Sequence, residues 1–436
     1  MKKVLQINYM PLPEKINLYL NKKTSDTWEI GREYPKLFKK IIVVPAIAES
    51  KNIPVLINSL EKNDDSELFS TLLLIVVNNS ISSTEEVKAD NLETLDYLKK
   101  VKTKINISFI DASTAGKELD DKNAGVGLAR KIGMDLALTK FDYQSPHKNI
   151  LICTDADCVV ESNYLLEISK EFSENNYDAA ITNFAHNISG NDEETKAIIC
   201  YEIFLRNYVL GLTVANSNYA FHTIGSTMLC TPEAYVKVDG MNKCKAAEDF
   251  YFLEKLAKIY KIGKINSTTV YPSKRSSWRV PFGTGRSVDR FLTEDRNEYQ
   301  LYTPAIFILL KNWLEVFFDK SDFDYPILID KVTVINPALA EFLEKQKLKE
   351  FFNNSLKQNL SDTEIIKQKH YWFDAFRTLK LIHYFRDVLY PNINMFDALD
   401  VMFGAAGIEN KIKRNSDMPD LETQKEYLLM LRKIQS

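Results

Sequence analysis

Two acidic pairs and one cluster of cations are the residues whose types and spacing best suit chemistry. Asp155-Ala156-Asp157 sets two aspartates one small residue apart, directly after the apolar run Asn149 to Thr154. Unpaired carboxylates so close repel each other, and burial only adds to that cost. A divalent cation resolves the repulsion. Magnesium or manganese takes one or two protein carboxylates, keeps water in its other positions and accepts phosphate oxygens from a substrate. Asp157 and Asp155 are therefore the expected metal residues, Mn2+ or Mg2+ the expected ion, and a diphosphate the expected ligand; the alternative is a solvated acidic turn.

Glu248-Asp249 leads into Phe252, Leu256 and Ile259, which recur at helical spacing. Acidic residues in a first turn are favoured by the helix dipole, so an ordinary helix start accounts for the pair without function. A carboxylate delivered at a helix start is also placed to act as a general base, a role worth roughly 10²–10⁴ in rate. The third group runs from Lys274 to Ser287 and contains Arg275, Trp278, Arg279, Gly283, Gly285 and Arg286. Arginine matches phosphate or carboxylate through two parallel hydrogen bonds, so this stretch reads as a flexible phosphate or acceptor loop, with Glu248 beside it. An exposed basic loop without a specific partner is the competing reading.

The elements that must position these groups show as short apolar runs alternating with helical patterns from Lys39 onward, the signature of an α/β domain with a largely parallel sheet. Ile41 to Val44 reads as a buried strand that stops at Pro45. Ser50 is expected to cap a helix bearing Ile53, Leu56, Ile57 and Leu60, with Pro54 in its first turn. Thr71 to Val77 and Ile105 to Ile110 read as further strands. Leu128, Ile132 and Leu136 mark a helix opening near Gly125, and Leu165, Ile168 and Phe172 mark another after Ser162. The Asp155-Asp157 turn thus falls where a strand ends, the position at which open α/β sheets bind ligands.

At 436 residues the chain exceeds the size at which one core keeps growing, so more than one unit is expected. Only Gly404 and Gly407 follow Gly285, and the pattern beyond residue 290 turns helical, with Trp372, Phe376, Leu379 and Ile382 as one aromatic and apolar stripe. The expected organisation is an N-terminal extension over 1–38, an α/β domain over 39–290 and a helical region over 291–436. A net charge of -3 with 45% hydrophobic and 26% charged residues gives no pull toward nucleic acid. The cysteines Cys153, Cys158, Cys200, Cys230 and Cys244 are scattered and odd in number, which signals neither a disulfide framework nor a zinc site. Met1 to Met10 has no long apolar stretch, and Tyr302 to Phe318, interrupted by Lys311, Asn312 and Glu315, reads as a buried helix rather than a membrane span. A cytoplasmic location is expected, with a peripheral position at the inner membrane face left open.

Taken in order, these motifs resemble glycosyltransferase family 2 with its GT-A fold, over Ile41 to about Arg290. Val43-Val44-Pro45-Ala46-Ile47-Ala48-Glu49 is similar to the family's first strand and base-embracing turn, and Leu74 to Ser80, with Asn78-Asn79, to its second. Asn123-Ala124-Gly125-Val126-Gly127-Leu128-Ala129-Arg130 resembles the segment beside the donor. Asp155-Ala156-Asp157 stands where the family's D-x-D does, and Glu248-Asp249 resembles the motif whose aspartate is the catalytic base.

The resemblance implies a GT-A catalytic domain with a mostly parallel central sheet, and transfer of one sugar from a nucleotide-diphosphate sugar to a hydroxyl, with inversion. Asp249 is then the catalytic base. Pro45, Ile47, Glu49, Asn78, Asn79, Arg130 and Asp155 hold the donor, a UDP-sugar first and a GDP-sugar second. Asp157 holds the metal. The implied acceptor is a saccharide, a lipid-linked glycan or a small molecule, within cell-envelope or extracellular polysaccharide synthesis, and a homodimer through the helical region is allowed. A retaining transferase on the same fold and a catalytically inactive nucleotide-sugar-binding protein remain the alternatives. A dinucleotide-binding oxidoreductase is disfavoured because Gly125-Val126-Gly127 lacks a third glycine and follows the wrong strand, and a pyrophosphorylase because Pro45 to Lys51 has no glycine.

Overall fold

The computed structural model describes residues 11–23, 27–275, 283–293, 297–319, 324–356 and 360–436. It divides into two compact units: one of the residues up to Asn187 with Thr223–Ser287, the other of Ile188–His222 with Val288–Gln435.

The first unit is built on an eight-stranded sheet. Its strands are β1 (Lys40–Ala46), β2 (Thr71–Asn78), β3 (Asn106–Ala112), β4 (Ile150–Cys153), β5 (Val159–Val160), β6 (Ala179–Phe184), β7 (Met228–Cys230) and β8 (Gly263–Tyr271). They lie in the order β3-β2-β1-β4-β7-β6-β8-β5. β1 pairs in parallel with β2 and β4, β2 with β3, and β6 with β8. β7 runs antiparallel to both β4 and β6, and β5 antiparallel to β8. The sheet is therefore mixed, where a mostly parallel one was expected. The strands that change its character, β5 and β7, are two and three residues long, too short to show as periodic runs.

Every residue of β2 is buried, as the continuous run Thr71 to Asn78 requires of a strand covered on both faces. Alternation sorts the faces. Ile42, Val44, Leu73, Ile75 and Val77 share a core with Ile53, Leu56 and Leu60 of helix Ile53–Leu60 and with Leu165 and Ile168 of helix Tyr164–Glu174. Val43 and Val76 point the other way, onto helix Val126–Ala137 at Gly133, where an added Cβ would overlap both valines.

Two local expectations change. β1 continues through Pro45, which pairs with Val76 on β2, while pairing with β4 has already ended at Val43. Proline lacks the N–H of a ladder donor and is tolerated where a strand has lost one neighbour. Ser50 does not cap the next helix, whose N-cap residue is Asn52. Its hydroxyl instead donates to Asp90 at 2.8 Å.

Among its described residues the second unit has one pair of strands, the short antiparallel Gln300–Leu301 and Ile393–Asn394, and its other regular elements are helices. Helix Glu193–Val214 is long and apolar enough to cross a membrane, and 67% of its apolar window is buried inside the structure. Its Ile199, Ile203 and Leu210 join Trp313, Phe317, Leu381 and Phe385 in that unit's core. Glu202 on the same helix is fully buried between Arg206 and Arg432, each 2.7 Å away. The stripe expected from Trp372 to Ile382 is broken: Asp374 caps a new helix, Ala375–Val388, by accepting from the Arg377 N–H. The restart rotates the buried face onto Thr378, Leu381, Ile382 and Phe385 and leaves Phe376 exposed.

Candidate functional site

The carboxyl ends of β1, β2, β3 and β4 lie along one edge of the sheet, since these strands are mutually parallel. Glu49, Asn78-Asn79, Asp111 and Asp155 to Asp157 leave from that edge, which is the ligand-binding edge of an open α/β sheet.

Arg130 organises the centre. It lies in helix Val126–Ala137, is 3% exposed, and donates through Nη2 to Asp155 and through Nη1 to Glu248. Burial works against its charge, but the neighbouring carboxylates of Asp155 and Glu248 outweigh burial and hold the guanidinium pKa above its ordinary value. Two glycines make this possible. An added Cβ at Gly225 would overlap the Arg130 guanidinium, and one at Gly127 would overlap the Cys244 carbonyl and press on Glu248. Gly127 thus lets the start of the Arg130 helix approach the loop that delivers Glu248. Gly225 opens the short turn before β7 to the guanidinium.

Glu248 begins helix Glu248–Ala257 and is itself buried, so its carboxylate belongs to the Arg130 pair rather than to a loop. Asp249, the next residue, is half-buried and accepts from the Phe250 N–H at 2.7 Å. Its pKa is pushed up to about 7, first by burial and then by the charge of Glu248, with Arg130 pulling the other way. A carboxylate poised there is a stronger base than an ordinary aspartate and gains and loses its proton around neutral pH.

The second arginine arrives by strand register. β5 pairs with β8 so that Val159 faces Tyr271, and because the strands run antiparallel the residues after Tyr271 fold back past those before Val159. Arg275 consequently reaches Asp157, with Nε 3.1 Å from Oδ2, and its Nη2 donates to Glu49. Glu49 is buried and also accepts from the Asn52 amide. Burial opposes the Arg275 charge, yet Asp157 and Glu49 together hold its pKa above the usual value. One loop cation thus bridges the first-strand turn and the second aspartate of Asp155-Ala156-Asp157.

Among the described residues there is no group of three or more His, Cys, Asp or Glu that could hold a metal ion. The pair Asp155 and Asp157, with side chains 35% and 25% exposed, fits a hard divalent cation only as an open site completed by substrate oxygens and water. In the structure the positive charge beside each aspartate comes from an arginine.

Pro45 and Ile47 are half-buried in and just after β1. Asn78 and Asn79 are buried, and their amides are engaged internally. Asn78 Nδ2 donates to the Ala46 and Val76 carbonyls, and Asn79 donates to Ser80 while accepting from Asn91. Arg286 lies in helix Thr284–Leu292. Trp278 and Arg279 lie outside the described residues.

Asp111 is an edge residue that the motifs did not single out. It faces Val77 in the β3–β2 register and accepts from the N–H and hydroxyl groups of Ser113 and Thr114. Burial raises its pKa, but those hydrogen bonds together hold it below the ordinary value. A lone acidic residue closing an apolar run was the available signal.

No family model and no curated protein matches the chain. Among solved structures it is similar to S. aureus TarS 1-349 in complex with UDP-GlcNAc, at 16% identity over 77% of this chain and 91% of that one, with a TM-score of 0.41. It is also similar to the mannosyltransferase PcManGT from Pyrobaculum calidifontis in complex with GDP-Man and Mn2+, at 12% identity over 96% and 94%, with a TM-score of 0.36. Likeness at this level carries no argument about substrate or residue roles.

Proposed function

We propose that the first unit is a nucleotide-sugar-dependent glycosyltransferase that moves one sugar from a nucleotide-diphosphate donor to an acceptor hydroxyl. The observation that carries this reading is the buried Arg130, bonded at once to Asp155 of the D-x-D turn and to Glu248, the neighbour of Asp249. A donor-side carboxylate turn and a candidate base are thereby fixed in one frame, with Asp249 poised near neutrality.

In this reading Asp249 accepts the proton of the acceptor hydroxyl as its oxygen attacks the anomeric carbon and the bond to the diphosphate breaks, which inverts that carbon. Glu248 and Arg130 position the base. Arg275 leaves Asp157 and Glu49 for the diphosphate, where a guanidinium pairs well with phosphate oxygens. A Mn2+ or Mg2+ ion, held by Asp157 with Asp155, would supply further neutralisation of the leaving group's charge. UDP-sugars are the first donors to try and GDP-sugars the second.

The deciding experiment is calorimetry of UDP, GDP and CMP against the full chain, with manganese and then with a chelator, followed by product analysis with the sugar donor of whichever nucleotide binds. Binding of one diphosphate together with sugar transfer that Asp249→Asn abolishes supports the reading. Absence of binding by all three overturns it, and binding without transfer to any acceptor favours a nucleotide-sugar-binding protein.

A further inference from the structure

β1 and β2 stop pairing where the two turns assigned to the donor begin, the last partners being Ala46 and Val77. In a parallel ladder, alternate residues of a strand bond to opposite neighbours. The Val43 carbonyl accepts from Thr154 at the end of β4, and the Asn79 N–H donates to Ala112 of β3. Odd-numbered residues here thus face away from the β1–β2 seam, and the even ones, Ala46, Ala48, Val76 and Asn78, face into it. Continued in register, the next bond of the ladder would run from the Ala48 N–H to the Asn78 carbonyl.

A side chain takes the place of that bond. Asn91, 1% exposed on helix Glu85–Lys100, accepts from the Ala48 N–H through Oδ1 at 2.9 Å. Its Nδ2 donates to the Asn78 carbonyl at 3.0 Å and to Asn79 Oδ1 at 2.8 Å. The amide can point only one way, since exchanging its ends would set donor against donor at Ala48 and acceptor against acceptor at Asn78. Ala48 takes a left-handed backbone with φ 52°, a costly conformation for alanine, and so leaves the strand. The preceding residue of the same helix, Asp90, accepts from the Ser50 N–H at 2.9 Å and from its hydroxyl at 2.8 Å. One helix therefore fastens the first-strand turn on both sides of Glu49.

We infer that Asn91 is a positioning residue, which holds the ends of β1 and β2 apart so that the nucleoside of the donor can enter between them. A direct ladder bond would satisfy the same two backbone groups and would close this opening. The inserted amide satisfies both and keeps them separated. The inference rests on the transferase reading and deepens it, because Asn91 acts through Ala48-Glu49 on one side and Asn78-Asn79 on the other. Its effect is selective: Arg130, Asp155 and Glu248 are bonded to one another and do not depend on Asn91.

The test is calorimetry on the full chain with uridine, guanosine, their diphosphates and inorganic pyrophosphate. Asn91→Ala should weaken the nucleoside and its diphosphate alike, roughly tenfold, as loss of one or two hydrogen bonds does. Pyrophosphate affinity should be unchanged, and turnover at saturating donor should hold within about twofold while the donor KM rises. Asn91→Asp keeps the shape and the Ala48 bond but sets an acceptor against the Asn78 carbonyl, so it should show the same selective loss. Should neither variant fold, hydrogen exchange on the parent decides. The Ala48 N–H should exchange slowly in the free chain and roughly tenfold more slowly with the nucleoside bound; exchange at the rate of an open loop, or no response to the nucleoside, would overturn the proposal. Unaltered nucleoside affinity in a folded variant, or equal losses for nucleoside and pyrophosphate, would overturn it and leave the transferase reading standing. A parent chain that binds no nucleoside and no diphosphate would bring down that reading and this proposal together.

Discussion

Arg130 donates to Glu248 across a contact in which each residue is only 3% exposed, so neither charge has water to fall back on. The same guanidinium holds Asp155. A buried charge left alone is far more costly than a buried pair, and the two acidic turns of the site therefore depend on one side chain.

Arg130→Ala should destabilise the chain by about 3–5 kcal/mol, the usual cost of stranding a buried charge. Glu248→Gln should cost less, because a neutral amide can still accept from Arg130. Urea unfolding of the two variants beside the parent measures the difference, and equal midpoints for all three would show that the cluster is solvated.

Asp249 ties activity and stability to pH in opposite ways. Its ordinary carboxyl pKa of 3.8 rises to about 7 in the folded chain. Between roughly pH 4 and 7 the folded state keeps a proton that the unfolded state has released, so this group's contribution to stability falls as pH rises through that window and stays unfavourable above it. Asp249→Asn should accordingly raise the melting temperature at pH 8 by roughly 2–4 °C and change it little near pH 4. Transfer by the parent should climb with pH through about 7 as the base ionises. The variant should lose roughly 10²–10⁴ in turnover while binding nucleotide as before. Normal turnover in Asp249→Asn would remove the base assignment.

How much of this was legible in the sequence depends on element length and on partner distance. The long apolar runs of β1 to β4 and the helices beginning at Ile53, Val126, Tyr164 and Glu248 announce themselves by period and by flanking turns, and with them the strand-end position of Asp155 and Asp157. The antiparallel β5 and β7 do not, because two or three residues carry no period. The restart at Asp374 was hidden for a different reason: an aspartate inside a continuous helical pattern reads as a surface residue until its capping bond is seen. Pairings such as Arg130 with Glu248 and Arg275 with Glu49 join turns distant in the chain, so the residues were visible and their partners were not.

Arg275 and Asp157 can be separated experimentally. If Arg275 moves from Asp157 and Glu49 to the diphosphate, Arg275→Ala should weaken UDP roughly tenfold or more, the value of a charge-assisted hydrogen bond, and leave uridine unaffected. Asp157→Ala should instead remove whatever part of UDP binding depends on manganese, so that parent and variant become alike once the metal is chelated. Calorimetry with uridine and UDP, with and without chelator, gives all four comparisons. Equal losses for uridine and UDP in Arg275→Ala would mean that the arginine serves the fold and not the phosphates.

Gly127 offers a test of positioning alone, since it carries no functional group. A Cβ there meets the Cys244 carbonyl and the Glu248 side chain, both in the stretch that delivers Asp249. Backbone cannot yield as a flexible side chain does, so Gly127→Ala should push that loop away from helix Val126–Ala137 at a cost of about 1–3 kcal/mol. The expected signature is a fall in transfer larger than the fall in nucleotide affinity, because Asp155 and Asp157 leave from β4 and keep their bonds to Arg130 and Arg275. Steady-state kinetics beside UDP titration would read it. A variant that lost both in proportion would indicate that the loop before Glu248 supports the donor site as a whole rather than the base in particular.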